Sequence, residues 1–167
     1  EIDTVLCAHG TTWKAAGKNE AAWTHIDKEM TVEMARQAKA AGVKHFSLVS
    51  SAGASPDSWF MYTRTKGETI EAIKALGFER FSVFKPGLLI TERTEAGTAE
   101  KAMIAIDPFL SWFGRTTGVK ILESITVEDL AASMIANALR PSPTGEAYEE
   151  YETAPDILAL KLKVNNA

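Results

Sequence analysis

Short apolar runs alternate with amphipathic stretches over the first half of the chain. Three runs have the length and composition of buried strands, at residues 4–8, 45–50 and 81–84. Between them, two stretches, 26–41 and 57–76, carry apolar residues at helical spacing. Each stretch is followed by a glycine, the residue that most often ends a helix. The alternation of strand and helix predicts an α/β fold with a parallel sheet and right-handed crossovers.

The second half of the chain predicts mainly helix. Helices are expected at 98–106, 126–139 and 157–162, and short strands at 88–90 and 120–122. The clearest of these helices opens with a capping pattern from Thr126 to Asp129 and ends before Pro141. An aromatic cluster at 109–113 favours core packing over a substrate pocket, and the segment 144–156 predicts an acidic tail.

Small residues occupy the loops that leave the carboxyl ends of the predicted strands. Gly10 follows the first strand, Ser51 follows the second, and Pro86 and Gly87 follow the third. In open parallel sheets, ligands bind outside the carboxyl ends of the strands. We therefore expect these three loops to meet at one edge of the sheet, beside the helix over 57–76.

Tyr62 and Lys66 lie four residues apart in that helix, and this spacing places them on the same helical face. An ammonium group next to a phenol favours the phenolate form, which helps the hydroxyl to exchange protons near neutral pH. The same spacing also occurs in ordinary half-exposed helix pairs, and chance alone produces it in many chains. The neighbouring loops therefore decide between the two interpretations.

Composition favours a single globular domain over residues 1–167, with the sheet and the Tyr62 helix in 1–92 and the substrate side with the C-terminal helices in 93–167. The net charge of −4 includes no basic block, so nucleic acid and anionic membranes are not predicted as partners. No apolar run has transmembrane length. The three histidines lack metal-ligand spacing, so no metal site is predicted, and Cys7 is expected to be a buried thiol.

Three motifs, taken in order, resemble the active-site half of the short-chain dehydrogenase/reductase superfamily. They are Val49-Ser50-Ser51-Ala52-Gly53 after a strand, Tyr62-x-x-x-Lys66 on a helix, and Pro86-Gly87 after the next strand. Shorter segments at 10–12, 41–46, 66–68 and 81–87 are similar to the atypical Tat-interacting-protein family. The similarity extends from about residue 5 to about residue 140.

The resemblance implies hydride transfer between a nicotinamide cofactor and a small carbonyl or alcohol substrate. It assigns Tyr62 as the general acid/base and Lys66 as the residue that favours the phenolate form and binds the nicotinamide ribose. The Ser-Ser-x-x-Gly spacing assigns Ser51 as the serine that polarises the substrate oxygen, with Ser50 as the alternative.

The same resemblance implies the rest of the cofactor site. Pro86 and Gly87 match the turn that lies along the nicotinamide, whereas Gly10 and Thr11 match a loop near the cofactor ribose. NADP is the expected cofactor, with NAD as the alternative. The acidic or basic residue that distinguishes the two belongs to a part of the family pattern that this chain does not match.

Two features depart from the family pattern. Asp27 stands where many extended relatives have an asparagine, so a proton relay through that asparagine cannot be carried over. No glycine-rich turn for the cofactor pyrophosphate precedes Thr4. The expected fold is therefore a Rossmann-like parallel sheet with helices on both faces, missing its first strands and leaving 4–8 as an open edge. An incomplete sequence, a second chain that supplies the missing half, and a truncated, inactive derivative all remain open.

Two classes of function follow from the resemblance. The first is an NADP-dependent oxidoreductase that retains Ser51, Tyr62 and Lys66. The second is a non-catalytic regulator that uses the reductase fold to bind protein partners in transcription, nuclear import or apoptosis control. A homodimer is a further expectation. The cytoplasm is the expected location, with the nucleus or an organelle surface as alternatives.

Overall fold

The computed structural model of the protein describes residues 2–90, 124–141, 145 and 147–164. The predictions for the helix at 98–106, the aromatic cluster and the strand at 120–122 lie outside the described residues. In chain order the elements are β1 (Thr4–Cys7), α1 (Glu20–Thr24), a π-helical segment (His25–Met30), α2 (Thr31–Ala40), β2 (His45–Val49), α3 (Met61–Lys74), β3 (Arg80–Phe84), β4 (Leu88–Ile90), β5 (Ser124–Thr126), α4 (Val127–Ala138), β6 (Ala147–Tyr151) and α5 (Ala154–Val164).

The chain divides into two compact units. The first contains Glu1–Lys85 and Ala138–Tyr151, and the second contains Pro86–Asn137 and Glu152–Ala167. The prediction of a single domain over 1–167 stays a prediction.

The first unit is built on a four-stranded sheet in the order β1-β2-β3-β6, in which every neighbouring pair is parallel. This confirms the parallel α/β fold. Phe46 and Phe81 lie side by side in neighbouring strands, on the sheet face that packs against Ala35 of α2 and Ile73 of α3. Phe46, Ala35 and Ile73 are fully buried. Burial of a side chain as large as Phe46 or Ile73 contributes about 1.5–3 kcal/mol to folding, and this packing fixes both helices against the sheet.

Glycines end the first two long helices, as the sequence predicted. Gly42 follows α2 with φ +85°, and Gly77 follows α3 with φ +66°. The predicted start of α3 was wrong, because the helix begins at Met61 and not at residues 57–58. Ser58 does not cap the helix but accepts a hydrogen bond from the Phe60 amide at 3.2 Å, in the turn that precedes it. Trp59 and Phe60 therefore lie in the connection between the serine loop and the helix.

Strand β6 was missed, because its adjacent glutamates, Glu149 and Glu150, resemble a solvated tail. The strand pairs with β3 along its whole length. Its acidic side chains have polar partners within the sheet: Ser82 donates to Glu149 at 3.0 Å, and Lys85 forms an ion pair with Glu150 at 2.9 Å. The two glutamates of this strand therefore pair with a residue of β3 and with the lysine that follows it.

The second unit contains the parallel pair β4-β5 together with α4 and α5. The predicted helix at 126–139 is confirmed as α4, and Thr126 accepts a hydrogen bond from the Asp129 amide at 3.0 Å, as its capping pattern implied. Lys161 of α5 forms an ion pair with Asp129 at 2.7 Å. The predicted helix near 157–162 is confirmed within α5.

A buried histidine in the first unit makes the protein sensitive to acid. Arg80 donates to Nδ1 of His45 at 2.8 Å, so the ring proton lies on Nε2, which donates to Ser82 at 3.0 Å. Burial, reinforced by the Arg80 cation, lowers the pKa of His45 from 6.5 to about 4. The unfolded chain therefore binds a proton that the folded protein excludes between these two values, and stability falls as the pH decreases through this window.

We expect the free energy of unfolding to decrease by about 2 kcal/mol between about pH 7 and about pH 5 because of His45. Urea unfolding at the two pH values measures it. His45→Gln is the matched control, since glutamine can also accept from Arg80 and donate to Ser82 but does not titrate. An equal loss in the wild type and in His45→Gln would show that other groups cause the acid sensitivity.

Candidate active-site cleft

A cleft of about 440 Å³ lies in the first unit, where the loop after β1, the end of β2 and the first turns of α3 meet. Gly10, Thr11, Tyr62 and Lys66, all predicted as site residues, line it. A larger groove of about 590 Å³ runs along the π-helical segment and α2, but its described lining contains none of these residues. The smaller cleft is therefore the candidate site.

Tyr62 lies in the first turn of α3, and Lys66 follows one turn later on the same face. The Tyr62 ring is half-buried and packs against Trp23 of α1, with ring centroids 5.6 Å apart. Trp23 in turn contacts Trp13 at 6.2 Å. This aromatic packing holds the Tyr62 ring at the wall of the cleft.

The Lys66 ammonium has a partner that the sequence did not predict. Lys66 Nζ lies 2.5 Å from Oδ1 of Asp27, and the Asp27 side chain is almost completely buried. The other carboxylate oxygen, Oδ2, accepts a hydrogen bond from the Thr11 amide at 2.9 Å. Asp27 thus connects the loop after β1 to α3 through its two oxygens.

Asp27 turns inward within the π-helical segment His25–Met30, which follows α1 and leads directly into α2. A further contact attaches this segment to α3: Lys28 forms an ion pair with Glu68 at 2.7 Å. Such wide turns occur often at functional sites. The signal available in the sequence was an acidic residue directly after Ile26, the first apolar position of an amphipathic helical stretch.

Gly10 lets the loop after β1 approach this ion pair. A Cβ atom at position 10 would lie 3.1 Å from Oδ1 of Asp27 and 3.3 Å from Nζ of Lys66. Both distances are too short for an undisturbed contact, so a side chain here would push the carboxylate and the ammonium aside. Glycine at position 10 therefore permits the charged pair to form against the backbone.

The serine loop leaves β2 with two buried hydroxyl groups. Ser50 still belongs to the sheet edge, because its amide donates to the Phe84 carbonyl at 2.7 Å. Within the described part of the chain, neither Ser50 Oγ nor Ser51 Oγ has a hydrogen-bond partner. Ser50 lines the cleft, whereas Ser51 is not among the described residues that line it. The structure therefore brings the alternative serine to Tyr62 and Lys66, and the role of Ser51 stays a prediction.

Gly67 allows this loop to rest directly on α3. A Cβ atom at position 67 would lie 2.1 Å from the carbonyl carbon of Ser55 and 2.3 Å from the Pro56 nitrogen. The Ser55 amide donates to the Thr63 carbonyl at 3.1 Å, so the loop and the helix are also hydrogen-bonded. The helix that carries Tyr62 and Lys66 therefore fixes the position of the serine loop.

Pro86 and Gly87 belong to the second unit, where Pro86 is buried and Gly87 is half-buried. Their predicted contact with a cofactor stays a prediction. Over the described ranges, no cluster of three or more His, Cys, Asp or Glu side chains is arranged to bind a metal ion. Burial raises the pKa of the Cys7 thiol, in agreement with the buried thiol expected there.

Helices that combine the length and the hydropathy of a bilayer crossing do not occur in the described part of the chain.

Comparison with known proteins places the sequence among fungal and mammalian relatives. No family model matches the chain. It is 46% identical over 95 residues to "Protein fmp52, mitochondrial" of Emericella nidulans, a match that covers 57% of this chain and 40% of that protein. It is 40% identical over 98 residues to Protein HTATIP2 of Rattus norvegicus, covering 59% of this chain and 40% of that protein.

The chain resembles the Tat-interacting-protein type of atypical short-chain dehydrogenase/reductase. The resemblance that the motifs indicated is thereby confirmed. The chain spans only about two fifths of the length of the curated relatives that it matches.

Solved structures confirm the Rossmann-like fold. UDP-glucose 4-epimerase from Thermotoga maritima, solved with UDP-glucose, superposes with a TM-score of 0.56 at 11% identity, covering 98% of this chain and 61% of the epimerase. RMD from Pseudomonas aeruginosa, solved with NADPH, gives a TM-score of 0.55 at 14% identity, covering 89% of this chain and 60% of RMD. At such identities the likeness concerns the fold.

Proposed function

We propose that this chain carries the catalytic part of an NAD(P)-dependent oxidoreductase of the short-chain dehydrogenase type, which transfers hydride to or from a small carbonyl or alcohol. The observation that supports this most is the shared cleft. Tyr62, Lys66 and a Ser50 hydroxyl without a described protein partner all line it. A phenol, an ammonium and a hydroxyl around one cavity are suited to donating a proton to a carbonyl oxygen and polarising it.

The cleft residues fit the nicotinamide-ribose half of a dinucleotide. Lys66 has three N–H donors and uses one on Asp27, which leaves donors for ribose hydroxyls. Gly10 has no side chain, so the cofactor can approach its backbone closely. NADP, with NAD as the alternative, would supply the hydride when bound. Thr11 is a further residue of the cleft in the proposed cofactor-binding set. Pro86 and Gly87 are proposed as cofactor-binding residues from their motif alone.

In this proposal each side chain acts at a defined atom. The Tyr62 hydroxyl gives its proton to the substrate oxygen during reduction and accepts it during oxidation. Lys66, one turn further along α3, binds the nicotinamide ribose. A serine hydroxyl, from Ser51 by its motif spacing or from Ser50 by its place in the cleft, donates a hydrogen bond to the same oxygen. Trp23 covers one side of the Tyr62 ring and reduces its contact with water.

A titration with NADPH that follows nicotinamide fluorescence tests the proposal. Binding that weakens in Lys66→Met supports it, because the ammonium is the proposed ribose ligand. Binding that is equal in the two proteins contradicts it.

A second candidate function is a non-catalytic regulator that binds protein partners. The observation that favours it is the indole of Trp59, which is 92% exposed immediately before α3. Large exposed aromatic side chains are typical of contact surfaces. The similarity to HTATIP2 is compatible with this candidate. Protein partners and a homodimer therefore remain part of the proposal.

The cytoplasm is the proposed location. The fungal relatives are named as mitochondrial proteins, which favours the alternative of an organelle surface.

A further inference from the structure

The carboxylate of Asp27 is placed between the two elements that form the ribose side of the proposed site. Its Oδ1 lies on the Lys66 ammonium of α3, and its Oδ2 lies on the Thr11 amide of the loop after β1. The Asp27 side chain is 1% exposed, so these contacts replace the water that a carboxylate normally binds. One buried side chain thus determines where both donors sit.

The contact with Asp27 restricts the position of the Lys66 ammonium more than an ordinary ion pair does. A lysine has a long, flexible stem, and its ammonium adopts many positions unless a partner restricts it. Gly10 leaves room for this placement of Asp27 and Lys66, since a Cβ atom there would lie 3.1 Å from Oδ1 and 3.3 Å from Nζ. Lys28 forms an ion pair with Glu68 at 2.7 Å, so the π-helical turn that presents the carboxylate is itself attached to α3.

We propose that Asp27 is a positioning residue of the cleft: its carboxylate holds the Lys66 ammonium in the geometry in which it meets the nicotinamide ribose, and it fixes the loop after β1 beside that ammonium through the Thr11 amide. The part that concerns the ribose rests on the proposed function. Asp27 lies in the lining of the cleft and uses one oxygen on Lys66 and the other on Thr11, so the role assigned to it is to position these two partners.

Nuclear magnetic resonance on the 167-residue chain tests the positioning without any ligand. In Asp27→Ala we expect the Lys66 ammonium signal to be lost and the Thr11 amide to exchange with solvent about tenfold faster. In Asp27→Asn one oxygen acceptor remains, so one of the two donors keeps its partner. Glu33→Gln, which removes an exposed carboxylate on α2, is the control and leaves both signals unchanged. Unchanged signals in Asp27→Ala overturn the proposal.

Lys66→Met provides a second route that leaves Asp27 in place if the Asp27 variants do not fold. The Thr11 amide resonance shifts in this variant, because the carboxylate that it contacts has lost its cation. A Thr11 resonance that does not move overturns the proposal.

Titration with reduced nicotinamide mononucleotide, which carries only the nicotinamide-ribose half of the cofactor, tests the functional part. Lys66→Met and Asp27→Ala each weaken binding by about tenfold, and the double variant also weakens it by about tenfold because the two residues act as one unit. A loss of about a hundredfold in the double variant overturns the inference. A wild-type chain that does not bind the probe, with the magnetic resonance results as expected, overturns the proposed function and leaves the positioning of Lys66 established.

Discussion

Replacing Tyr62 with Phe is expected to lower NADPH-dependent turnover by about 10²–10⁴-fold, the usual contribution of a positioned acid/base group. The substitution removes one hydroxyl from the cleft and keeps the ring that packs on Trp23. NADPH affinity should therefore stay nearly unchanged. The assay uses the chain with any upstream sequence restored and a panel of small aldehydes and ketones.

Tyr148→Phe is the matched control for this experiment. It removes the same hydroxyl from β6, where the Tyr148 ring lies under Lys74 and outside the described lining of the cleft. We expect wild-type turnover in the control. If Tyr62→Phe keeps wild-type turnover, Tyr62 is not the acid/base and the proposed mechanism is wrong.

Replacing Gly67 with Ala is expected to destabilise the fold by about 3 kcal/mol, the upper end of the usual cost of overpacking. Helix propensity alone predicts the opposite, because alanine is favoured over glycine inside a helix by about 1 kcal/mol. The clash dominates, since the added Cβ would lie 2.1 Å from the carbonyl carbon of Ser55 and backbone atoms cannot rotate away. The serine loop and α3 must then separate.

The loss of stability is measured as the shift of the urea unfolding midpoint. Gly42→Ala is the control: it has φ +85° but nothing within 4 Å of the added Cβ, so it reports backbone strain alone, about 1–2 kcal/mol. If Gly67→Ala destabilises the protein less than Gly42→Ala does, the loop does not rest on α3 as described.

Local patterns in the sequence predicted the framework of the fold. Strands β1, β2 and β3 and helix α4 were predicted because each is coded by a short apolar run or a helical period within its own segment. Tyr62 and Lys66 were found for the same reason, since four residues on one helix determine that they share a face. Gly10 and Thr11 joined them in the cleft because parallel strands end at a common edge.

Contacts between distant segments determined the features that the sequence did not predict. Asp27 and Lys66 are separated by 39 positions, and no periodicity reports that a π-helical turn directs the carboxylate inward. The partners of Glu149 and Glu150 lie on β3 and just after it, so composition alone made β6 look like a tail. The choice between Ser50 and Ser51 likewise depends on which hydroxyl faces a cleft formed by other segments.

The central claim is that the cleft around Tyr62 and Lys66 binds a nicotinamide cofactor. The most direct test is a titration of the purified chain with NADPH, following nicotinamide fluorescence, repeated with any upstream sequence restored. The account predicts saturable binding by the wild type and binding about tenfold weaker in Lys66→Met, because the ammonium meets the ribose. No binding by the wild type, or equal binding in the two proteins, would contradict it.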